Sequence, residues 1–250
     1  MGNTLAEIAG EKAAIIHDGS RVVVASQQNE ARKVIDQKLE RFAIVPERTE
    51  QVRTDCVSGR TKLITEKAEY EVEKLGLLGK HQIENAKVAI LLAEILQDRF
   101  AITPQNIIHG LENTRHPGRL EYVGKFLFDG AHNIAGAKAL REYLDEFVKQ
   151  PITMILAAMK DKEIGEIGKI LFPKAETLIV TRADNSRSLD PGAIATHVPD
   201  GIEAKKLIVT QSVGEALKKA VEITDDSSVI LVTGSLYLVG EAKRILRSQI

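Results

Sequence analysis

Arg119, Asp129 and His132 are the residues of this 250-residue chain best placed for chemistry. They lie in His116-Pro-Gly-Arg-Leu-Glu and in Phe128-Asp-Gly-Ala-His-Asn133, where a short apolar run, Phe126 to Phe128, gives way to a polar turn. A helical pattern follows from about Ile134. A strand, a tight turn and a helix start leave free N–H groups pointing beyond the strand, which suits phosphate or ribose. Asp129 offers a carboxylate to ribose hydroxyls, Arg119 a two-pronged fork to phosphate oxygens, and His132 a ring nitrogen. The plain alternative is that Asn133 caps a helix and His132 is merely solvated. The stretch alone leaves both open.

Three other places carry chemistry-bearing residues. Gly76-Leu-Leu-Gly-Lys-His-Gln-Ile-Glu-Asn85 is a glycine-containing loop leading into a helix. Its glycines permit close backbone approach to a ligand, and Asn85 offers the donor and acceptor that an adenine edge needs. An ordinary turn with a helix-capping asparagine reads the same residues. Lys12 sits among Ile8, Ala9, Ala13 and Ile15, where an amine is either perturbed by an apolar wall or simply snorkels to water. Gly234-Ser-Leu-Tyr-Leu-Val-Gly240 follows a strand, and tight strand–helix packing with a serine cap accounts for it on spacing alone.

The elements that must position these residues follow from periodicity. Asn3 or Thr4 caps a first helix that runs to Gly19. Val22 to Ala25 reads as a buried strand and Asn29 to Phe42 as a helix with Ala31, Val34, Ile35, Leu39 and Phe42 on one face. Residues 43 to 75 read as short strands and turns, Asn85 to Leu96 as an apolar helix, and Thr103-Pro104 as the cap and first position of another. The second half alternates. Strands are expected at Phe126 to Phe128, Thr153 to Ala157, Thr177 to Thr181, Lys206 to Val209 and Val229 to Thr233. Helices are expected at Ala135 to Val148, Ile164 to Leu171, Pro191 to Thr196 and Val213 to Ile223. That alternation implies an α/β fold with a mostly parallel sheet, helices on both faces and ligands at the carboxyl ends of the strands. Asp129, Met159-Lys-Asp-Lys162, Arg182 to Arg187 and Gly234-Ser235 all fall there. A boundary is expected near residues 114 to 119, dividing the chain into 1–116 and 117–250.

Bulk composition narrows the class. Hydrophobic residues make up 44% and charged residues 28%, as in ordinary globular proteins, and the formal net charge of −1 leaves no electrostatic footprint for nucleic acid or an anionic membrane. Aromatics at 4% and no tryptophan argue against a base-stacking platform. The single Cys56 excludes an internal disulfide and a cysteine-rich zinc site, and reads as a small apolar residue of a reducing, cytoplasmic compartment. No apolar run approaches a membrane span, and the N-terminus has no secretory pattern.

Taken in order, six stretches point further. Gly2-Asn-Thr-Leu…Glu11-Lys-Ala-Ala-Ile-Ile, Leu78-Gly-Lys-His-Gln-Ile-Glu-Asn85, Pro117-Gly-Arg-Leu-Glu, Asp129-Gly-Ala-His-Asn, Met159-Lys-Asp-Lys162 and Thr233-Gly-Ser-Leu-Tyr-Leu-Val-Gly-Glu241 closely resemble, in register, the bifunctional folylpolyglutamate synthase/dihydrofolate synthase family of the Mur ligase superfamily. The resemblance implies residues 1–116 as the C-terminal part of a central ATPase domain and 117–250 as a Rossmann-like glutamate ligase domain. It implies an ATP- and Mg2+-dependent amide ligase that activates a dihydropteroate or folate carboxylate as an acyl phosphate for attack by L-glutamate. Lys12 matches the lysine that, as a carbamate, helps hold magnesium. Asn85 matches an adenine-side asparagine, Arg119 an arginine that reaches ATP, Asp129 with Ala131 the nucleotide-contacting turn, and His132 a histidine near the transferring phosphate. His81 lies in the same nucleotide loop. Arg187 and Ser188, in Asn185-Ser-Arg-Ser-Leu189, are the candidates for holding glutamate, with a turn and a solvated arginine as the alternative.

The family's phosphate loop, Gly-x-x-Gly-Lys-[Ser/Thr], has no counterpart here, since Gly76-Leu-Leu-Gly-Lys-His lacks the hydroxyl residue and sits elsewhere. The family's magnesium-binding glutamate and histidine have no counterpart either. The expectation is a cleavage product, a shortened reading frame or one half of a split enzyme whose missing N-terminal segment is a separate chain. Residues from about 118 to 250 are then expected to fold alone, and Lys12 to be unmodified and exposed. The other readings are a non-catalytic nucleotide- or glutamate-binding module, and a different Mur-type ligase, against which the Leu-Tyr-Leu-Val-Gly ending speaks.

Overall fold

The computed structural model describes Gly2 and residues 4–57, 59–198 and 207–248. The chain divides into two compact units, Met1–Arg115 and His116–Ile250.

In the first unit, α1 (Leu5–Ala13) opens on a capping box. The Thr4 hydroxyl accepts the Glu7 N–H, and the Glu7 carboxylate accepts the Thr4 N–H. Asn3, the alternative cap, lies outside the described residues. The helix stops at Ala13 rather than reaching Gly19. Beyond it the backbone turns on itself: the His17 N–H donates to the Ser20 hydroxyl and the Ser20 N–H to the His17 carbonyl. A short β–α–β passage follows, β1 (Val23–Val24), α2 (Asn29–Arg41) and β2 (Glu47–Arg48), the two strands pairing in parallel. Ala13, Ile16, Val24 and Leu39 form its core. The antiparallel strands β3 (Arg53–Val57), β4 (Arg60–Ile64) and β5 (Glu69–Val72) then share a second core with α3 (His81–Leu96) and α4 (Pro104–Asn113), built on Leu63, Tyr70, Ile90 and Ile107. A buried carboxylate ties these parts together, since Glu94 of α3 accepts hydrogen bonds from the Tyr70 hydroxyl at 2.8 Å and the Thr65 hydroxyl at 2.6 Å. Thr103 caps α4 with Pro104 next, as its sequence expects. Helix α3 starts at His81, a turn before the apolar pattern that begins at Asn85, because three of the four residues of its first turn are polar although Gln82 is buried.

In the second unit the elements run β6 (Glu121–Val123), β7 (Phe126–Asp129), α5 (Ile134–Phe147), β8 (Ile152–Leu156), α6 (Ile164–Leu171), β9 (Thr177–Val180), α7 (Pro191–Ala195), β10 (Leu207–Val209), α8 (Val213–Ile223), β11 (Val229–Thr233) and α9 (Leu236–Arg247). Lys206, expected in the fourth strand, lies outside the described residues. The six strands order as β10-β9-β8-β11-β7-β6, parallel except for the β6–β7 hairpin. Strand periodicity decides the layers. Phe128, Ile155, Ile179, Ile230 and Val232 pack with Val213, Leu217, Leu238 and Val239 of α8 and α9. Their neighbours in sequence, Leu127, Met154, Leu156, Leu178 and Leu231, turn to the opposite face by the two-residue alternation of a strand and are equally buried. The fold is thus the mostly parallel α/β sheet expected. The unexpected strand is β6, three residues with Tyr122 and Val123 exposed, too short and too solvated to show a pattern.

Candidate functional site

Two loops meet at the carboxyl end of β7, and one carboxylate joins them. Asp129 is only 6% exposed. Its Oδ1 accepts the Ala131 N–H at 2.9 Å and its Oδ2 the Leu120 N–H at 3.0 Å. A backbone bond reinforces the join, the Gly130 N–H donating to the Gly118 carbonyl at 2.8 Å. Gly118 and Leu120 both have left-handed backbone, with φ of 74° and 44°. For a leucine this conformation is strained by roughly 1–3 kcal/mol and persists only where surroundings over-determine it. Here they do, since Leu120 is buried and its amide is held by Asp129.

What the loops leave free is an arginine and a ring nitrogen. Arg119 lies between the two left-handed residues, half-buried, and its guanidinium donates to no group among the described residues. His132 is half-buried, and its Nδ1 lies 2.8 Å from the Gly130 carbonyl oxygen. A carbonyl only accepts, so Nδ1 carries the proton and the neutral ring keeps its lone pair on Nε2. Asn133 caps α5 through its side chain, which accepts the Gly136 N–H at 2.7 Å. The helix-capping alternative for Asn133 therefore holds, and it coexists with a constrained His132. The Ala131 N–H, 1% exposed, is consumed by Asp129, and both oxygens of Asp129 serve the loop backbone. Their visible work is to fix Arg119 and His132 in place.

Glu121 and Lys243 belong to the same assembly, although sequence reasoning gave neither a role. Lys243 of α9 donates to both Glu121 oxygens at 2.5 Å, and the Gly118 N–H donates to Glu121 Oε2 at 2.7 Å. The signal available in the sequence was a lysine at seven residues from Leu236 and four from Val239, on the face of a helix that should be apolar.

The other candidates are placed less tightly. The Arg187 guanidinium is exposed and lies 3.6 Å from the Asp161 carboxylate. The Ser188 hydroxyl donates to the Ala183 carbonyl at 2.8 Å and is buried, so its proton is committed inside the loop. The loops after β8 and β9 are nonetheless stitched together, with the Lys160 N–H on the Arg187 carbonyl and the Leu189 N–H on the Ala158 carbonyl. In the first unit, Leu75, Leu77, Gln82, Asn85, Ala86 and Leu111 line a cavity of ≈ 230 Å³ that is mostly apolar. The exposed Asn85 donates to the Gln82 side-chain oxygen at 2.8 Å, and the Gln82 amide nitrogen lies 2.8 Å from His81 Nε2. Asn85 lies one turn inside α3 rather than at its cap. Gly76 is needed beside this cavity, since a Cβ there would stand 2.5 Å from the Thr114 carbonyl oxygen. Lys12 is exposed on α1 with no ion pair or hydrogen bond among the described residues. No three His, Cys, Asp or Glu side chains among the described residues come together as a metal site.

Residues 118–236 match the family described as Mur ligase, glutamate ligase domain. The chain is 30% identical to the Bacillus subtilis dihydrofolate synthase/folylpolyglutamate synthase over 262 residues, covering 99% of this chain and 59% of that protein. It is 30% identical to the Saccharomyces cerevisiae dihydrofolate synthetase, covering 100% of this chain and 63% of that one. The crystal structure of Mycobacterium tuberculosis folylpolyglutamate synthase complexed with ADP and AMPPCP superposes with a TM-score of 0.85 at 26% identity, over 98% of this chain and 60% of that chain. The chain thus spans about three fifths of the length of these relatives.

Proposed function

We propose for this chain, which belongs to the Mur ligase superfamily and is homologous to part of the folylpolyglutamate and dihydrofolate synthases, the nucleotide- and glutamate-handling share of a folate ligase. Residues 1–116 are read as the C-terminal part of the central ATPase domain and 117–250 as the glutamate ligase domain. The reaction is ATP-dependent addition of L-glutamate to dihydropteroate or to a folate glutamate tail. A substrate carboxylate oxygen attacks the γ-phosphorus, forming an acyl phosphate as the bond to ADP breaks. The glutamate amine then attacks the acyl carbon, a C–N bond forms, phosphate leaves with its C–O bond electrons, and the amine gives up a proton.

The observation that carries this reading is the pair of unengaged groups at the end of β7. Arg119 offers its guanidinium to phosphate oxygens, where a planar fork neutralises charge and fixes geometry. His132 has Nδ1 committed to Gly130, so only Nε2 exchanges a proton with a reacting group. Asn85, with His81 and Gln82 beside it, is read as the adenine edge of the ≈ 230 Å³ cavity, and Arg187 as the contact for a glutamate carboxylate, with Ser188 shaping its loop. Magnesium does not fit the residues present: Lys12 stands without a carboxylate partner, and the described residues assemble no donor set. A Lys12 carbamate would need further ligands supplied from outside them.

The 250 residues contain no Gly-x-x-Gly-Lys-[Ser/Thr] run, which favours nucleotide binding without turnover by this chain on its own. Calorimetric titration with ADP tests the reading. The wild-type chain is expected to bind, and Arg119→Ala or His132→Ala to weaken binding by about tenfold. Equal affinity of both variants and wild type would remove these residues from the site. Folate-dependent ADP release by the chain alone, abolished by His132→Ala, would overturn the expectation of no turnover.

A further inference from the structure

We infer that Glu121 and Lys243 are positioning residues for Arg119 and His132, with α9 as the platform that sets both loops. The inference rests on the reading of Arg119 and His132 as the nucleotide-facing pair. It starts from the spacing of Leu236, Val239 and Lys243, which share one face of α9. Leu236 lies against Gly130: a Cβ there would stand 2.3 Å from Leu236 Cδ2. Val239 lies against Gly118, where a Cβ would stand 2.9 Å from Val239 Cγ1. Lys243, with 14% of its side chain exposed, grips Glu121 one turn further along. The same helix face therefore touches the loop bearing Arg119 twice and the loop bearing His132 once.

A series of hydrogen bonds, joined through the Cα atoms of Gly118 and Gly130, runs from this face to the histidine ring. Lys243 donates to Glu121, the Gly118 N–H donates to Glu121, the Gly130 N–H donates to the Gly118 carbonyl, and His132 Nδ1–H donates to the Gly130 carbonyl. The N–H and C=O of each glycine belong to different peptide groups, so the series acts by fixing where the two glycines sit and not by polarisation along it. At its far end the series fixes which nitrogen of His132 carries the proton. Along its length it holds Gly118 and, with Asp129, Leu120, the two left-handed residues that aim Arg119.

The test reads the series itself, by ¹⁵N spectra of the His132 ring and hydrogen exchange at the Gly118 and Gly130 amides. In wild type the ring is the Nδ1–H tautomer. Glu121→Ala speeds exchange at Gly118 by about tenfold and mixes the His132 tautomers. Glu121→Gln, which keeps an oxygen for the Gly118 N–H, restores most of both. Lys243→Met leaves every backbone acceptor in place and gives the same changes in smaller measure, which keeps the test alive if Glu121→Ala does not fold. A purely structural role would lower the unfolding temperature and leave the tautomer untouched. An unchanged His132 tautomer and unchanged Gly130 exchange in Glu121→Ala and Lys243→Met would overturn the inference. ADP titrated into wild type separates the two ideas: if the variants disturb His132 while ADP shifts neither Arg119 nor His132, the positioning role stands and the nucleotide reading falls.

Discussion

Glu121 stays ionised against the pull of its surroundings. Burial pushes its carboxyl up, but the Lys243 ammonium and the Gly118 amide hold it below the usual carboxylate range. A folded-state value lower than the unfolded one means the native form takes up a proton less readily. The pair's stabilisation is therefore present above the unfolded glutamate value, about 4.3, and lost as pH falls through the depressed folded value. Calorimetric unfolding from pH 7 to pH 3 should show Lys243→Met less stable than wild type by about 1–2 kcal/mol at neutral pH. The gap should close toward the acid end, and a gap independent of pH would remove the charge from the explanation. The same scale explains what could be read in advance. Arg119 and His132 stood out in the sequence as candidates because their types are unusual in a tight turn. Asp129 was legible as important, but its partners are backbone amides of Leu120 and Ala131, and no side-chain pattern announces those.

Helix α9 is where local pattern says least and packing says most. Its cap was foreseen, and Ser235 does accept the Tyr237 N–H. Its contacts with Gly118 and Gly130 were not, because a glycine chosen for space leaves the same letter as a glycine chosen for a turn. Gly118 needs both, having left-handed backbone and Val239 beside it. Gly130 needs only the space held by Leu236, and this permits a clean test. Gly130→Ala should cost about 1–3 kcal/mol by crowding Leu236. Leu236→Ala should cost little alone, since that side chain is 45% exposed. In the double variant the cost of Gly130→Ala should largely vanish, read as a coupling energy by chemical denaturation. Additive costs would show that Leu236 does not shape the turn. Elsewhere the element boundaries drifted for definable reasons. The polar first turn of α3 hides its start from a search for apolar residues, and the His17–Ser20 turn ends the first helix before the glycine that seemed to mark it.

At the scale of the molecule, the second unit holds its own sheet and its own core between α8, α9 and the strands. A fragment of residues 116–250 is therefore expected to fold alone, with dispersed amide resonances and a cooperative thermal transition. A collapsed, non-cooperative fragment would show that its stability is borrowed. The first unit has less to stand on: its only parallel pairing among the described residues is two residues long, and limited proteolysis of the whole chain should cut there first. The strand order in the second unit carries a further consequence for how the protein is made. β11 is the last described strand to leave the ribosome, yet its place is between β8 and β7. Those two strands emerge early and must wait with facing edges open, a gap one strand wide that any neighbouring nascent chain can enter. A premature stop just before residue 229 would thus remove the middle of the sheet together with the helix that braces both loops, rather than trim an edge. A reading-frame error that looks minor by length would leave a polypeptide fit for aggregation or degradation instead of a weakened version of the protein.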